Sequence, residues 1–517
     1  MANQTLFTSH RGKRLPAVNT LNREGAGAYA YAPKHKLAQY AATGCLNNTF
    51  YATGEQQLAT ILALTRQIEP EFVAKTAIYA RRVGKMKDMP ALLLAALSTR
   101  SVHCLKRAFP RVIDNGRMLR NFVQILRSGA VGRKSLGSAP KALVRQWLST
   151  ASEQALLNAA IGNSPSLKDV VRMVHPKPSD AHREAFYGWL LDKPYASEKL
   201  PQCLQALALY KVGQAEEVPE VPFQMLTALS LGRKQWAQIA EHAGWQMTRM
   251  NLNTFARHGV FELRGTAKRI AAKLRDREAI ERARVFPYQL MSAYYETDQR
   301  VPKNVRGALH HAMNIALEKL PALRGRVVVC PDVSGSMASP ITGGRRGATT
   351  KVRCVDVAAL MTAAVMRSNR DAVVLPFERC VREALVDPND SVLTNAERLA
   401  AMNGGGTNCS APLRWLLDRH ISADLVILIS DNQSWVDART HGATELMRLW
   451  ETFRQHNRTA KLVCIDLQPL GSTQAAERQD VLNVGGFSDA VFEVVARFAR
   501  DELGTDRWVG EIEAIKL

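Results

Sequence analysis

The stretch that decides the fold of the second half of the chain is RVVVCPDVSGSM, residues 326–337. Its first five residues, RVVVC, are short, mostly apolar and rich in valine, which is typical of a strand buried on both faces of a parallel sheet. Directly after this run, Asp332, Ser334 and Ser336 stand at alternate positions. Because ligands of parallel sheets bind beyond the carboxyl ends of the strands, this sequence predicts a site at the end of the first strand.

Three further runs of the same kind follow, and a helix-length segment comes after each strand. The predicted strands are 326–330, 372–375, 425–429 and 462–465, and the predicted helices are 352–367, 411–419, 443–453 and 489–500. Alternating apolar strands and helices predict a doubly wound parallel sheet with helices on both faces. We assign residues 326–517 to this α/β domain.

Two more oxygen-bearing side chains follow this pattern. Thr407 lies in the glycine-rich loop 403–408, and Asp431 comes directly after the strand run LVILI. With Asp332, Ser334 and Ser336 they provide two carboxylates and three hydroxyls, a set that suits a hard cation, Mg²⁺ by preference or another divalent ion. A simpler interpretation is that Asp332 and Ser334 only cap the next helix. The combination of all three segments favours the metal site.

The first part of the chain has a helical pattern. In residues 118–129, MLRNFVQILRSG, four apolar side chains follow helical spacing: Leu119, Phe122, Val123 and Leu126. Similar short amphipathic segments recur over residues 31–325 and predict stacked helix pairs of the HEAT kind. Residues 1–30, with a basic cluster at 11–14, are predicted to form a flexible basic arm.

Positive charge is concentrated in the first part. Residues 1–325 contain 47 Lys and Arg against 23 Asp and Glu, a net charge of +24, whereas residues 326–517 contain 22 against 24, a net charge of −2. The two values sum to the +22 of the whole chain. Such asymmetry predicts a polyanion, most often nucleic acid, as the partner of the helical domain.

Other features indicate the compartment. The eight cysteines show no CxxC spacing, the first residues lack an apolar signal segment, and no apolar run is long enough to cross a bilayer. We therefore expect reduced thiols, a cytoplasmic protein and no membrane partner.

The Asp-x-Ser-x-Ser motif, the later Thr407 and the later Asp431 resemble the metal-ion-dependent adhesion site of von Willebrand A domains. In that family a carboxylate from a partner commonly fills the open metal position. A basic helical domain before such a domain resembles the Ro ribonucleoprotein autoantigens and their bacterial relatives, whose helical module is called TROVE. The stretches that carry this resemblance are 44–51, 132–137, 141–147, 167–178, 250–255 and 284–288.

The resemblance implies a ring of helical repeats. In Ro-like proteins the basic hole of the ring takes single-stranded 3′ ends of misfolded small RNAs, and the outer face binds structured Y RNAs. The implied function is RNA quality control or tethering to a processing partner such as an exoribonuclease, with the protein monomeric apart from its RNA. The residues that we select for RNA contact are Arg127, Arg133, Lys134, Lys141, Arg145, Lys168, Arg172 and His175.

Two alternatives belong to other classes of function. One is a metal-dependent scaffold that docks proteins, whose basic charge meets acidic proteins rather than RNA. The other is a Mg²⁺-dependent phosphodiesterase. The sequence contains no GxxxxGK[ST], HExxH or GxSxG motif, and two-metal nucleases use more carboxylates than this set offers. We therefore expect a protein that is not an enzyme.

Overall fold

The chain folds into two compact units. A computed structural model describes residues 15–283, 285–318, 320–345, 349–402, 404–436, 441–504 and 506–517. The first unit, here called the sheet domain, comprises residues up to Thr53 together with Leu320–Glu511. The second unit, here called the helical domain, comprises Gly54–Lys319 and Ile512–Leu517. The division at Leu320 lies close to the predicted boundary at residue 325.

The sheet domain contains the predicted parallel sheet. Its strands are β3 (Val327–Pro331), β4 (Val373–Val374), β5 (Leu425–Ser430), β6 (Lys461–Asp466) and β8 (Val481–Gly485), in the order β4-β3-β5-β6-β8. All four neighbouring pairs are parallel, and Val328 of β3 lies opposite Val426 of β5. The chain moves to one side of β3 to form β4 and to the other side to form β5. This reversal creates a crevice at the carboxyl ends of β3 and β5, where doubly wound sheets bind ligands.

Helices accompany this sheet. They are α19 (Cys354–Ser368), α20 (Val392–Ala400), α21 (Ala411–Asp418), α22 (Glu445–His456), α23 (Asp489–Ala499) and α24 (Arg507–Glu513), the last of which crosses the boundary between the units. Helix α19 is buried along nearly its whole length. The predicted fold class, helices followed by a parallel von Willebrand A-type sheet, is confirmed. Helix α20 and strand β8 were not predicted, because neither VLTNAERLA nor VLNVG forms a continuous apolar run.

The predicted arm is wrong for residues 15–30. Strands β1 (Thr20–Leu21) and β2 (Gly27–Ala30) form a small antiparallel sheet with β7 (Ser472–Thr473), and helix α1 (Pro33–Thr43) packs against β8. Tyr29 is part of the same hydrophobic core as the central strands. Residues 31–53 therefore belong to the sheet domain, although we predicted them in the helical domain. The basic cluster at 11–14 lies outside the described residues.

Helix α1 carries a buried polar side chain into this core. His35 is 7% exposed, and its ring stacks on Tyr31 with 4.3 Å between the centroids. The Glu477 carboxylate lies 3.7 Å from His35 Nδ1, but burial lowers the pKa of His35 from 6.5 to about 3. Burial also raises the pKa of Glu477. Because burial disfavours both charged forms, the imidazole is neutral and this contact is not an ion pair.

The helical domain consists of α2–α18. Their bounds are α2 Gly54–Gln67, α3 Pro70–Arg82, α4 Asp88–Arg100, α5 Val102–Val112, α6 Gly116–Arg127, α7 Ser138–Thr150, α8 Glu153–Ala159, α9 Leu167–Val174, α10 Ala181–Leu191, α11 Gln202–Lys211, α12 Arg233–His242, α13 Trp245–Met250, α14 Leu252–Arg257, α15 Thr266–Arg275, α16 Arg277–Ala283, α17 Pro287–Tyr295 and α18 Lys303–Leu317. Short helices packed on their neighbours, such as α3 on α4 and α15 on α18, agree with the predicted helical pattern.

Helix α6 shows how the sequence specifies these helices. Asn115 caps it, because its side chain accepts a hydrogen bond from the Met118 backbone N–H at 3.0 Å. The four apolar residues that predicted the helix are completely buried. Burying such a stripe against neighbouring helices stabilises a helix that is too short to persist alone in water.

Two further expectations concern the whole chain. All eight cysteines are free thiols, and five of them are buried. Within the described residues no helix is both long and apolar enough to cross a membrane.

The neutral state of His35 makes the stability of the sheet domain depend on pH. The pKa of His35 is 6.5 in the unfolded chain and about 3 in the folded chain. As the pH falls through this window, the unfolded chain binds a proton that the folded chain does not bind, so His35 lowers the stability of the fold. The loss is at most about 1.4 kcal/mol per pH unit. In His35→Gln this contribution is absent. Chemical denaturation should therefore show that the unfolding free energy of the wild type falls relative to that of the variant from about pH 7 to about pH 4. His420→Gln, at an exposed position, controls for the loss of a histidine. A constant difference would contradict the assignment.

Candidate functional site

The five predicted metal ligands lie at the carboxyl ends of β3 and β5. Asp332 directly follows β3, Asp431 directly follows β5, and Thr407 lies in the loop before α21. Asp332, Ser334, Thr407 and Asp431 are each at most 3% exposed, and Ser336 is partly exposed.

Hydrogen bonds join these side chains. The Thr407 hydroxyl donates to Ser334 Oγ at 2.9 Å, and the Ser334 and Ser336 hydroxyl oxygens are 3.4 Å apart. Asp332 accepts from the Ser430 hydroxyl at 2.5 Å and from the Ser334 backbone N–H at 2.8 Å. The turn that begins at Ser334 receives no side-chain cap from this serine. The structure therefore does not support the capping interpretation.

The glycine-rich loop approaches this cluster closely. The Gly405 carbonyl accepts a hydrogen bond from the Gly335 backbone N–H at 3.0 Å. Gly405 has a φ of +75°, and a Cβ atom there would lie 1.3 Å from Glu378 Oε2. Only glycine combines this backbone conformation with such a close neighbour. Its presence lets the loop bring Thr407 against Ser334.

Among the described residues no cation forms an ion pair with either carboxylate. Burial raises the pKa of Asp332, and burial followed by the Asp332 charge raises the pKa of Asp431 to about 7. Asp431 Oδ1 is buried and accepts no hydrogen bond from any described residue. A buried carboxylate oxygen without a partner is unusual in proteins and calls for a bound ion or water.

The donor set of the cluster suits a hard cation. In the described part of the chain no three His, Cys, Asp or Glu side chains are grouped in a metal-binding arrangement. The cluster instead offers two carboxylates and three hydroxyls, which are ligands for Mg²⁺ rather than for a softer metal such as zinc. The buried Asp431 oxygen that lacks a hydrogen-bond partner and this set of oxygen donors both favour a bound cation.

Residues that the sequence did not single out border this cluster. Burial, followed by the charge of Asp431, raises the pKa of the Tyr51 phenol, which places Tyr51 beside this cluster. Asn22 donates from its side chain to the Ser434 carbonyl at 2.6 Å, and the Arg23 backbone N–H donates to Gln433 at 2.8 Å. These residues lie in the segment that we had predicted as an arm and as the start of the helical domain. No short-range pattern connects them to the metal motif.

Four of the eight predicted RNA-contacting residues come together around the end of α9. Arg127, at the end of α6, has Nη1 3.0 Å from Met173 Sδ, and Arg145 on α7 donates to the Val174 carbonyl. His175 follows Val174 in the left-handed conformation with a φ of 49°. The side chains of Arg127, Arg145, Arg172 and His175 are exposed. They form a compact surface, here called the α9 surface.

Carboxylates modify the charge of this surface. Lys168 forms an ion pair with Asp192. Asp169 lies within electrostatic reach of Arg172 and Arg127, and hydrogen bonds from Ser166, followed by these two charges, hold its pKa below the usual value. The α9 surface is therefore less positive than the sequence suggested.

The remaining three predicted residues lie in or near the turn before α7. Arg133 donates to the carbonyl and the hydroxyl of Ser98 at 3.1 and 3.3 Å, so its guanidinium fixes the turn to the end of α4. Lys134 is exposed and Lys141 is partly exposed.

The structure assembles a second group of cations, here called the inner basic cluster, that sequence reasoning missed. It comprises Lys87 before α4, Arg117 and Arg120 on α6, and Arg249 on α13. Burial, followed by the charge of Arg117, lowers the pKa of both Lys87 and Arg120. Arg249 also lies within electrostatic reach of Lys87, and burial lowers its pKa.

Asp88, the neighbour of Lys87 in the chain, offsets only part of the positive charge of this cluster. Within the described residues no ion pair joins Lys87, Arg117 or Arg120 to a carboxylate, and the buried Arg120 Nε has no hydrogen-bond partner. Arg249 donates to two neutral groups, the Gln289 carbonyl and the Gln246 side chain. Like charges that repel each other in this way are stabilised by an anion. The density of Lys and Arg over 101–150 indicated α6, but Arg249 is too distant in sequence to be linked to it.

The fold and these sites define a two-domain protein with a helical domain and a von Willebrand A domain. Residues 326–499 match the family of Ro60 von Willebrand A domains. The RNA-binding protein RO60 of Deinococcus radiodurans is 24% identical over 531 aligned residues, which cover 95% of this chain and 97% of that protein. The RNA-binding protein RO60 of Caenorhabditis elegans is 21% identical over 250 residues, 45% of this chain and 37% of that protein.

Comparison of three-dimensional structures shows the same similarity. The crystal structure of the Deinococcus radiodurans Ro (RSR) protein matches with a TM-score of 0.61 at 21% identity, and the match covers 91% of this chain and 100% of that one. Residues 326–499 are therefore similar to the Ro60 von Willebrand A domains, and the predicted resemblance of the whole chain to Ro proteins is confirmed.

The hydrogen bonds from Arg133 to Ser98 predict a structural role for this residue, which a stability measurement can detect. Arg133→Ala should lower the unfolding free energy of the helical domain by roughly 1–3 kcal/mol, because it removes hydrogen bonds from a charged donor to Ser98. Lys134→Ala, at the next position and exposed, should change it by less than about 0.5 kcal/mol. Thermal or chemical denaturation of the two variants provides the measurement. Equal stability of both variants would show that the Ser98 contacts do not matter.

Proposed function

We propose that this protein binds RNA through its helical domain. The observation that carries the proposal is the inner basic cluster, four cations from three separate parts of the domain, none of which forms an ion pair with a carboxylate of the described residues. RNA phosphates supply the anion that such a cluster requires. The net charge of +24 over residues 1–325 and the two relatives named RNA-binding proteins support the same conclusion.

We further propose that the ligands are Y-like small RNAs and single-stranded 3′ ends of misfolded RNAs. A cluster of Lys and Arg side chains favours binding through phosphates, which is largely independent of sequence. The role that follows is RNA quality control or the tethering of RNA to a processing partner such as an exoribonuclease. This function requires no catalytic step in the protein itself.

For the sheet domain we propose a Mg²⁺ site formed by Asp332, Ser334, Ser336, Thr407 and Asp431. Two buried carboxylates, one with an unpartnered oxygen, support it. A bound divalent cation would neutralise their charge and offer an open position to a carboxylate of a protein partner. The near-neutral charge of residues 326–517 suits a protein partner better than a second RNA.

The RNA proposal predicts a specific dependence on salt. Lys87→Glu combined with Arg117→Glu should weaken the binding of a single-stranded RNA, measured by fluorescence anisotropy of the full chain. If each residue contacts one phosphate, the slope of log affinity against log salt should also decrease in magnitude by about 0.7 for each lost contact.

Two controls accompany this experiment. Arg233→Glu with Arg277→Glu makes the same change in charge at exposed arginines that form ion pairs with Glu262 and Glu318, and should leave the slope nearly unchanged. A duplex with a single-stranded 3′ tail should bind more tightly than the same duplex with blunt ends. If both double variants reduce the slope equally, net charge explains the binding and the inner basic cluster is not the site. Equal affinity for both duplexes would refute the preference for 3′ ends.

The metal proposal predicts the loss of Mg²⁺ binding in Asp332→Asn. This substitution preserves the volume of a completely buried side chain and removes its charge, so the fold should persist. Isothermal titration calorimetry should detect Mg²⁺ binding to wild type and none to the variant. Asp371→Ala, at an exposed carboxylate before β4, serves as the control and should bind like wild type. Unchanged binding in Asp332→Asn would show that the cation lies elsewhere.

A further inference from the structure

A cavity of about 350 Å³ in the helical domain is lined by residues of α5, α7 and α8. Its apolar walls are formed by Phe109, Ile113, Leu143 and Trp147. The first three of these side chains are buried, whereas Trp147 is partly exposed. Phe122 of α6 packs edge-to-face on Phe109, with 5.3 Å between the ring centroids. One wall of the cavity is therefore fixed by the core, and the opposite side carries a large aromatic ring that solvent can reach.

Polar groups at this cavity are available to a ligand. Within the described residues, the Lys106 ammonium, the Gln146 side-chain amide and the Trp147 indole N–H form no hydrogen bond or ion pair. Lys106 and Gln146 are exposed. A concave apolar pocket with a few polar groups at its edge is typical of sites that bind small molecules or single chemical groups of a larger ligand.

The sequence of α5 adds a hydrogen-bond acceptor. Pro110 lies inside this helix and also lines the cavity. Because proline has no N–H, the carbonyl of Lys106, four residues earlier, does not receive the usual helical hydrogen bond. Lys106 therefore offers a carbonyl acceptor in addition to its ammonium donor.

The carboxylate of Asp114 also lines the cavity, but Arg81 neutralises it. Arg81 Nε donates to Asp114 Oδ2 at 3.0 Å, and Arg81 Nη2 donates to Asp114 Oδ1 at 2.7 Å. This bidentate pair leaves the Lys106 ammonium as an unpaired charge at the cavity. Together with the net charge of +24 over residues 1–325, the unpaired ammonium favours a ligand that carries negative charge.

We propose that this cavity binds one unpaired nucleobase of an RNA. Trp147 supplies the surface on which the base stacks, Gln146 and the Lys106 carbonyl supply hydrogen bonds to its polar edge, and the Lys106 ammonium binds the adjoining phosphate. An apolar side chain of a protein partner would contact the walls but would use none of these polar groups. This inference rests on the proposed binding of RNA, and it adds the recognition of a base to the recognition of phosphates.

The experiment compares two labelled single strands of equal length by fluorescence anisotropy with the full chain. One is an RNA of mixed sequence, and the other is an abasic strand with the same ribose-phosphate backbone. Trp147→Ala should lower the affinity for the RNA roughly 5- to 100-fold, the usual effect of removing a side chain on which a base stacks. Its affinity for the abasic strand should not change. The slope of log affinity against log salt should also stay the same, because a stacked base releases no counterion.

Three further variants serve as controls. Trp189→Ala removes another partly exposed tryptophan of the helical domain, on α10, and should bind both strands like wild type. Trp147→Phe keeps an aromatic ring and should retain most of the affinity for the RNA. Should Trp147→Ala fail to fold, Ala155→Leu fills the cavity while every other lining side chain stays in place. It should weaken the binding of the RNA and leave that of the abasic strand unchanged.

Each outcome decides between the two proposals. Equal binding of both strands by wild type, or an equal loss for both strands in Trp147→Ala, overturns the base-binding cavity and leaves phosphate binding by the inner basic cluster standing. If wild type binds neither strand, the RNA proposal and this inference fail together. A loss that is confined to the strand with bases, in Trp147→Ala or in Ala155→Leu, supports the inference.

Discussion

The buried pair Asp332 and Asp431 imposes the constraint on which the site in the sheet domain depends. Two adjacent parallel strands end at the same edge, so the side chains that follow them are brought close together. Both carboxylates are removed from water and each opposes the ionisation of the other. The groups that form hydrogen bonds here are hydroxyls and a backbone N–H. The Ser430 hydroxyl and the Ser334 N–H donate to Asp332, and the Thr407 hydroxyl donates to Ser334. The arrangement has the composition of a cation cage rather than of an inert core.

The helical domain shows the opposite kind of imbalance. Lys87, Arg117, Arg120 and Arg249 are held together by the packing of separate helices, although their charges repel. Mutual repulsion contributes to lowering the pKa of Lys87 and of Arg120, so a bound anion would stabilise their charged forms. The two domains thus separate two binding chemistries, an excess of cations in one and an excess of buried anions in the other.

The sequence was sufficient to predict the fold and to predict that the proposed metal ligands meet, because both depend on local patterns. Valine-rich runs identify the strands, and the residues directly after them, such as Asp332 and Asp431, must lie at the sheet edge. Residues whose role depends on partners distant in sequence could not be assigned in this way. Tyr51 comes within electrostatic reach of Asp431, and Lys87 of Arg249, only after the chain has folded. The sequence could likewise not reveal that the guanidinium of Arg133 is bonded to Ser98.

The pairing of β2 with β7 has a consequence for the order of events during synthesis. The helical domain is inserted between two parts of the sheet domain, and Ala30 pairs with Ser472. At the usual speed of translation the ribosome needs roughly 20 to 90 s to make the intervening chain. During that time the helical domain can fold, but the strands against which Tyr29, Tyr31 and Leu37 pack have not all been synthesised. The nascent chain therefore exposes an apolar N-terminal segment until its last quarter is made, and the chain must protect this segment from aggregation or from chaperone capture for that period.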